Sequence, residues 1–439
     1  MIASCVFYMA FIPAYILILF ATIVIDYIAG IYIENAEGAR RKQYLIISLI
    51  TNIGVLAIFK YFNFFVDNVN ALLLHTGISM HPLPFWEIIL PIGLSFHTFQ
   101  AMSYTIEVYR GHQKAERHFG VYALYVMFYP QLVAGPIERP QNLLHQFHEE
   151  HTFSYENLHV GLRLMLWGLF KKVVIADRLA IYANAVFGNQ EQYDAVQLMI
   201  AVLCFTIQIY CDFSGYSDMA IGAARTMGFH LMVNFNRPYF STNIQEFWAK
   251  WHMSLSTWFR DYLYISLGGN RVETWKVYRN VAIVFVVSGF WHGANWTFIV
   301  WGAIHAVCIV SYMLLKKRFS LGDSFIANAF GWLFTFIVVA LAWVFFRAEN
   351  IQQAATILHR IFTFDHVAVA QGVKNFGAFS AVVSLAMVAY MCICEWRMPP
   401  LLTKFQEYYK LDIAFMAITL FFILAFGVFQ QASFIYFQF

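Results

Sequence analysis

The stretch Ser288-Gly289-Phe290-Trp291-His292-Gly293-Ala294-Asn295-Trp296 interrupts a run that is otherwise apolar from Val281 to Tyr312. About 20 consecutive apolar residues suffice for a helix to cross the hydrocarbon core of a bilayer. A polar side chain inside such a run is expensive, so His292 is a functional candidate by default. Gly289 and Gly293 lie four residues apart on one helical face. They allow close backbone approach or a break in the helix. A neutral imidazole at that depth accepts a proton from a hydroxyl or thiol and returns it to a leaving group, which is general acid–base catalysis. The plainer alternative is a histidine hydrogen-bonded for packing. The flanking glycines and Asn295 weigh toward function, whereas His305, more than three turns further on, reads as structural.

Composition agrees with a membrane solvent. The chain has 439 residues, 60% hydrophobic and 12% charged, against about 45–50% and about 25% in soluble domains. Its 46 Phe suit lipid-facing surfaces and interfacial belts. A net charge of +3 gives no support to nucleic-acid binding. The six cysteines form no CxxC pair and sit in apolar stretches, so they read as small buried residues rather than disulfides or a zinc site. Apolar stretches fall at 2–33, 44–66, 85–106, 118–135, 159–186, 194–227, 279–291, 294–315, 325–347, 375–394 and 411–429. They predict an all-α polytopic membrane protein, with about ten spanning helices plus re-entrant and interfacial pieces, in a single domain over 1–439. Arg40, Arg41 and Lys42 lie in one loop, and Arg110, Lys114 and Arg117 in another two spans later. The positive-inside rule makes both loops cytoplasmic, with Lys316, Lys317 and Arg318 marking a further cytoplasmic end. No signal-peptide pattern opens the chain, and no internal repeat is visible.

Two further clusters carry polar groups in apolar surroundings. In 242–263, Trp248, Trp251, Leu255, Trp258, Phe259 and Tyr262 recur at helical spacing, with Lys250, Ser254, Thr257 and Asp261 opposite. This predicts one amphipathic helix with a Trp-rich face. His252 flanks that face, and it either pairs functionally with His292 or contacts headgroups; the balance is even. Arg260 and Asp261 read as local ion pairs or interface anchors. The second cluster, Gln208 to Asp218, holds Asp212, Ser214 and Asp218. On a continuous helix the two carboxylates stand about 240° apart, so both could face one ligand only if the helix broke at Gly215. Bracing and cavity lining are favoured over direct chemistry. His145, His148 and His151 match no zinc-enzyme spacing and read as a solvated helix end, so no metal is expected. There is no Walker loop, GxGxxG or GxSxG, so the chain lacks serine-hydrolase apparatus of its own.

Several motifs occur in a fixed order: Leu132-Val-Ala-Gly-Pro-Ile137; Asp212-Phe-Ser-Gly-Tyr-Ser-Asp-Met-Ala-Ile-Gly222; Asn234-Phe-Asn-Arg-Pro-Tyr239; Trp251-His-Met-Ser-Leu-Ser-Thr-Trp-Phe-Arg-Asp-Tyr-Leu-Tyr264; Leu267-Gly-Gly-Asn-Arg271; Ser288-Gly-Phe-Trp-His-Gly293; and Phe434-Ile-Tyr-Phe-Gln-Phe439. Together they resemble the membrane-bound O-acyltransferase (MBOAT) family, and the Leu-Gly-Gly-Asn-Arg turn resembles its bacterial alginate O-acetyltransferase (AlgI) branch. The motif core covers about 128–315. Chains of that branch usually carry one more N-terminal span ahead of the part matched by 2–33.

The resemblance implies an MBOAT-like helical core enclosing a tunnel. It places the family's catalytic histidine on His292 and its second motif histidine on His252. Trp291, Trp251, Asn295, Asp212, Ser214, Asp218, Arg260 and Asp261 would then bind substrate or line the cavity. It implies a cytoplasmic thioester donor, acetyl-CoA or an acyl carrier, as co-substrate rather than a tightly bound cofactor. The acceptor would be an exported polysaccharide, reached with an SGNH-type extracytoplasmic partner, at a bacterial inner membrane. Rivals are D-alanyl transfer to teichoic acid (the DltB type), a proton-coupled transporter using intramembrane His and Asp, and a scaffold that only anchors a secreted transferase. Missing repeats count against the transporter.

Overall fold

A computed structural model describes residues 1–76, 81–319, 324–365, 377–397, 409–429 and 434. Among these residues every regular element is a helix, with no strand. The helices gather into two compact units, 1–153 with 228–232, and 154–227 with 233–439.

The first unit contains α1 (Ile2–Met9), α2 (Tyr15–Asn35) and α3 (Gly38–Leu56), which runs through a π turn, Ala57–Tyr61, into α4 (Phe62–Thr76). Next come α5 (Leu94–Arg110), α6 (Phe119–Met127) and the short α7 (Tyr129–Leu132) and α8 (Pro140–Leu143). Its one buried aspartate, Asp26 of α2, accepts from Ser48 Oγ at 2.6 Å and Asn52 Nδ2 at 2.8 Å on α3. Buried polar groups need such partners, because no water is present to supply them.

The second unit holds both candidate histidines, His252 and His292. It begins with α9 (Tyr155–Phe170), a π turn Lys171–Ala176, and α10 (Asp177–Gly188). The long α11 (Ala195–Thr226) follows, opened by a capping box between Asp194 and Gln197. Two short helices, α12 (Ile244–Lys250) and α13 (Met253–Phe259), lead through a π turn, Arg260–Tyr264, to α14 (Thr274–His292) and α15 (Trp296–Arg318). α16 (Phe325–Arg347), α17 (Ile351–Thr363), α18 (Ala378–Arg397) and α19 (Tyr409–Phe426) complete the unit. Of the C-terminal motif 434–439, only Phe434 lies among the described residues; it packs on Phe213 and Tyr216.

Six described helices are long and apolar enough to cross a membrane: Tyr15–Asn35, Gly38–Thr76, Ala195–Thr226, Trp296–Arg318, Phe325–Arg347 and Phe379–Trp396. The all-helical membrane architecture therefore stands. The expected count of about ten crossings does not follow from length and composition alone, because several expected spans are shorter or more polar. α11 runs unbroken through Gly215, so its two carboxylates do not share one ligand. One element differs from expectation. The single amphipathic helix over 242–263 is instead α12 and α13, separated at Trp251-His252.

Glycine at 215 serves close approach rather than a break. A Cβ there would lie 2.7 Å from the Gly168 carbonyl oxygen, and one on Gly222 would lie 2.5 Å from that of Gly161. Two glycine pairs, seven residues apart on each helix, thus let α9 and α11 pack antiparallel with backbones nearly touching. The same device joins α14 to α15, where Gly289 meets the Phe298 carbonyl and Gly302 meets that of Phe285. Gly215→Ala should lower the thermal midpoint of the purified protein, since overpacking a tight contact costs about 1–3 kcal/mol. Gly54→Ala, with nothing within 4 Å of the added methyl, should leave the midpoint unchanged or raise it. Equal midpoints for the two variants would contradict the packing.

Candidate active site

The site starts at the two helix breaks. α14 ends on His292 because Gly293 turns extended, at φ −160° and ψ 148°. The next helix restarts under the Asn295 cap, whose Oδ1 accepts from Thr297 N. The second break is at His252, one of three described non-glycine residues with positive φ, at φ 43° and ψ 55°. A side chain in that left-handed region strains the backbone by about 1–3 kcal/mol, and such strain survives only where neighbours enforce it. Two backbone bonds do so: Met253 N donates to Asn234 O at 2.8 Å, and Asn236 N donates to Lys250 O at 3.0 Å.

Both histidines are buried, and both line one cavity of about 520 Å³. Trp248, Trp251, Phe285 and Val284 make its wall largely apolar, while Ser256, Thr257, Ser288 and Arg260 add polar groups. Such a mix is typical of small-molecule sites. The Trp291 ring stands 5.0 Å from the His292 centroid and 6.4 Å from that of His252. Trp301 and Phe346 pack edge-on to His292 at 5.2 and 5.4 Å, while Phe213 meets His252 at 4.6 Å. Burial pushes the His252 imidazole down to about 3, so it is neutral at physiological pH.

The other sequence candidates divide. Trp251 and Arg260 are on the cavity wall. Arg260 is also paired with Asp261 at 2.7 Å, the local ion pair expected of these neighbours. Asn295 is not on the wall; its Nδ2 donates to Glu349 O at 2.8 Å, so it ties the start of α15 to the end of α16. Asp212, Ser214 and Asp218 are also off the wall. Lys172 Nζ bridges Asp177 and Asp212 at 2.8 Å each. Lys171 Nζ reaches Asp218 at 2.6 Å and Ser214 Oγ at 2.8 Å. The π turn sets these adjacent lysines so that they reach two carboxylates lying far apart around α11. His305 is buried behind the wall, where its Nδ1 accepts from Trp248 Nε1 at 3.3 Å. His148 pairs with Glu116, and His151 with the Gln146 carbonyl.

Sequence reasoning passed over Lys171, Lys172 and Asn234. The lysine pair had a signal: two cations in the apolar stretch 159–186 require anionic partners, and α11 carries two. Asn234 sits in a quoted motif but has no chemical signature of its own.

The chain belongs to the membrane-bound O-acyltransferase family, whose profile matches residues 110–349. It is thus a multi-pass membrane enzyme that transfers acyl groups to oxygen. It is 38% identical to the "Probable alginate O-acetylase AlgI" of Pseudomonas aeruginosa over 412 residues, 92% of this chain and 78% of that one. A "Peptidoglycan O-acetyltransferase" of Helicobacter pylori is also 38% identical, over 389 residues, covering 81% and 72% of the two chains. The "Teichoic acid D-alanyltransferase" of Bacillus subtilis is 27% identical over 260 residues, covering 54% and 63%.

The lysine–aspartate pairs generate a stability prediction. Lys171 is almost fully enclosed and pairs with Asp218, and removing one partner of a buried pair costs up to about 3–5 kcal/mol because the other charge is left uncompensated. Lys171→Met should therefore unfold at a markedly lower temperature than wild type, and Lys171→Met with Asp218→Asn should recover part of the loss. A double variant no more stable than the single would contradict the pairing.

Proposed function

We propose that this enzyme O-acetylates an exported polysaccharide, drawing the acetyl group from a cytoplasmic thioester such as acetyl-CoA or an acyl carrier. The observation that carries the reading is the joint placement of His252 and His292 on one largely apolar cavity. In the reaction, His292 takes the proton from the attacking hydroxyl as the new C–O bond forms. The C–S bond then breaks, and His292 returns the proton to the departing thiolate. His252 positions the acceptor or the thioester carbonyl. Arg260, on the cavity wall and mostly in solvent, suits the anionic portion of a donor. Enclosure strengthens each of these electrostatic contacts.

The acetyl group is favoured over D-alanine by the higher identity and longer coverage of the O-acetylase relatives. An SGNH-type extracytoplasmic partner would complete delivery to the polymer, and the bacterial inner membrane is the fitting location. The absence of a nucleophile-elbow serine in this chain supports such a division of labour.

At equal expression, His292→Ala should reduce acetyl release from cell-surface polysaccharide by about 10²–10⁴-fold, measured as acetate freed by mild base. Undiminished acetate would sink the mechanism. Removal of D-alanine rather than acetate on gene deletion would replace the acetyl reading with the D-alanyl one.

A further inference from the structure

Beside the backbone break at His252 stands one side chain that the catalytic reading does not use. Asn234 is fully buried. Its Oδ1 accepts from three donors: His252 Nδ1 at 3.0 Å, Ser254 N at 3.3 Å and Ser254 Oγ at 2.9 Å. Its Nδ2 donates to Ser217 Oγ of α11 at 3.1 Å. The orientation of this amide is decided by chemistry. A backbone N–H is always a donor, so the atom facing Ser254 N must be the oxygen. A ring nitrogen pointing at that same oxygen must then carry a hydrogen. In a neutral imidazole, the other nitrogen is left with the lone pair.

We propose that Asn234 is a positioning residue for acyl transfer: it fixes His252 as the Nδ1–H tautomer, so that Nε2 is left as its basic atom. Several contacts oppose rotation of the ring. Phe213 packs against it edge-to-face at 4.6 Å, and Phe235 stacks at 6.3 Å. The main chain of Asn234 accepts from Met253 N, so one residue holds both the left-handed backbone of His252 and its ring. Ser217 in turn ties Asn234 to α11, whose other faces carry the aspartates held by Lys171 and Lys172. Positioning through one acceptor atom is how a buried group selects a histidine tautomer in other catalytic arrangements.

The proposal rests on the reading that His252 takes part in the transfer, and the test separates the two. The full-length enzyme is prepared in detergent with ¹⁵N-labelled histidine, and the His252 signals are assigned by their loss in His252→Ala. Wild type should show a protonated Nδ1 and an unprotonated Nε2. Asn234→Asp keeps an acceptor at the same place, while the Ser217 hydroxyl can donate in turn, so this variant should retain that tautomer and most of the activity. Asn234→Ala, compared at matched thermal midpoint, should lose the preference and fall by about tenfold or more in kcat. An Nε2–H tautomer in wild type would overturn the proposal. So would wild-type shifts in Asn234→Ala while His252→Ala is inactive, a result that leaves the reading of the cavity standing. Full activity in His252→Ala would overturn both.

Discussion

Two ammonium groups confined beside two carboxylates set the frame of the unit that carries the candidate site. Lys171 and Lys172 follow one another in a π turn, and each reaches an aspartate of α11, at 2.6 and 2.8 Å. A charge taken out of water must be compensated within the protein, so the position of α11 against the α9–α10 segment has little freedom. The glycine pairs at 161/222 and 168/215 then bring the two backbones into contact. α11 thereby becomes a rigid platform for what lies on its other faces.

On those faces are Phe213 and Ser217, one turn apart. Phe213 supports the ring of His252, and Ser217 anchors Asn234. His292 arrives from a different direction, at the end of α14, where Gly289 and Gly302 let that helix lie tightly on α15. The cavity is where these two rigid systems present one imidazole each. A site built on braced helices holds its groups to the tolerance that the proposed proton transfer needs. Trp248, Trp251 and Phe285 make the wall largely apolar, and burial holds the His252 imidazole neutral.

Much of this was readable from sequence, for identifiable reasons. Trp291-His292-Gly293 stood out because a polar residue in a long apolar run is expensive, and the flanking glycines weighed it toward function over a packing role. The turn at Leu267–Arg271 was equally plain, and Gly268 and Gly269 take positive φ there, with Asn280 binding the Leu267 and Gly269 carbonyls. The break at His252 was hidden. No glycine or proline marks it, and the Trp-rich periodicity runs across it undisturbed. Long-range hydrogen bonds from Asn234 and Asn236 override a helical pattern that is locally self-consistent. Asn295 misled in the opposite way: its nearness to His292 in sequence suggested the cavity, whereas an asparagine directly before an apolar run is more simply a helix cap. Asp212 and Asp218 were legible as braces only in part, because their lysine partners sit 40 and 47 residues earlier and periodicity carries no information about pairing.

The central claim is that the acyl group is transferred in the cavity shared by His252 and His292. The most direct measurement is a structure of the full-length enzyme bound to a non-transferable thioester analogue of acetyl-CoA. The account predicts the carbonyl carbon in that cavity, on the side of Trp248 and Ser288, with an imidazole of the pair within reach of an acceptor oxygen placed about 3–3.5 Å from it. An analogue bound with its carbonyl elsewhere, and with the cavity unchanged, would contradict it.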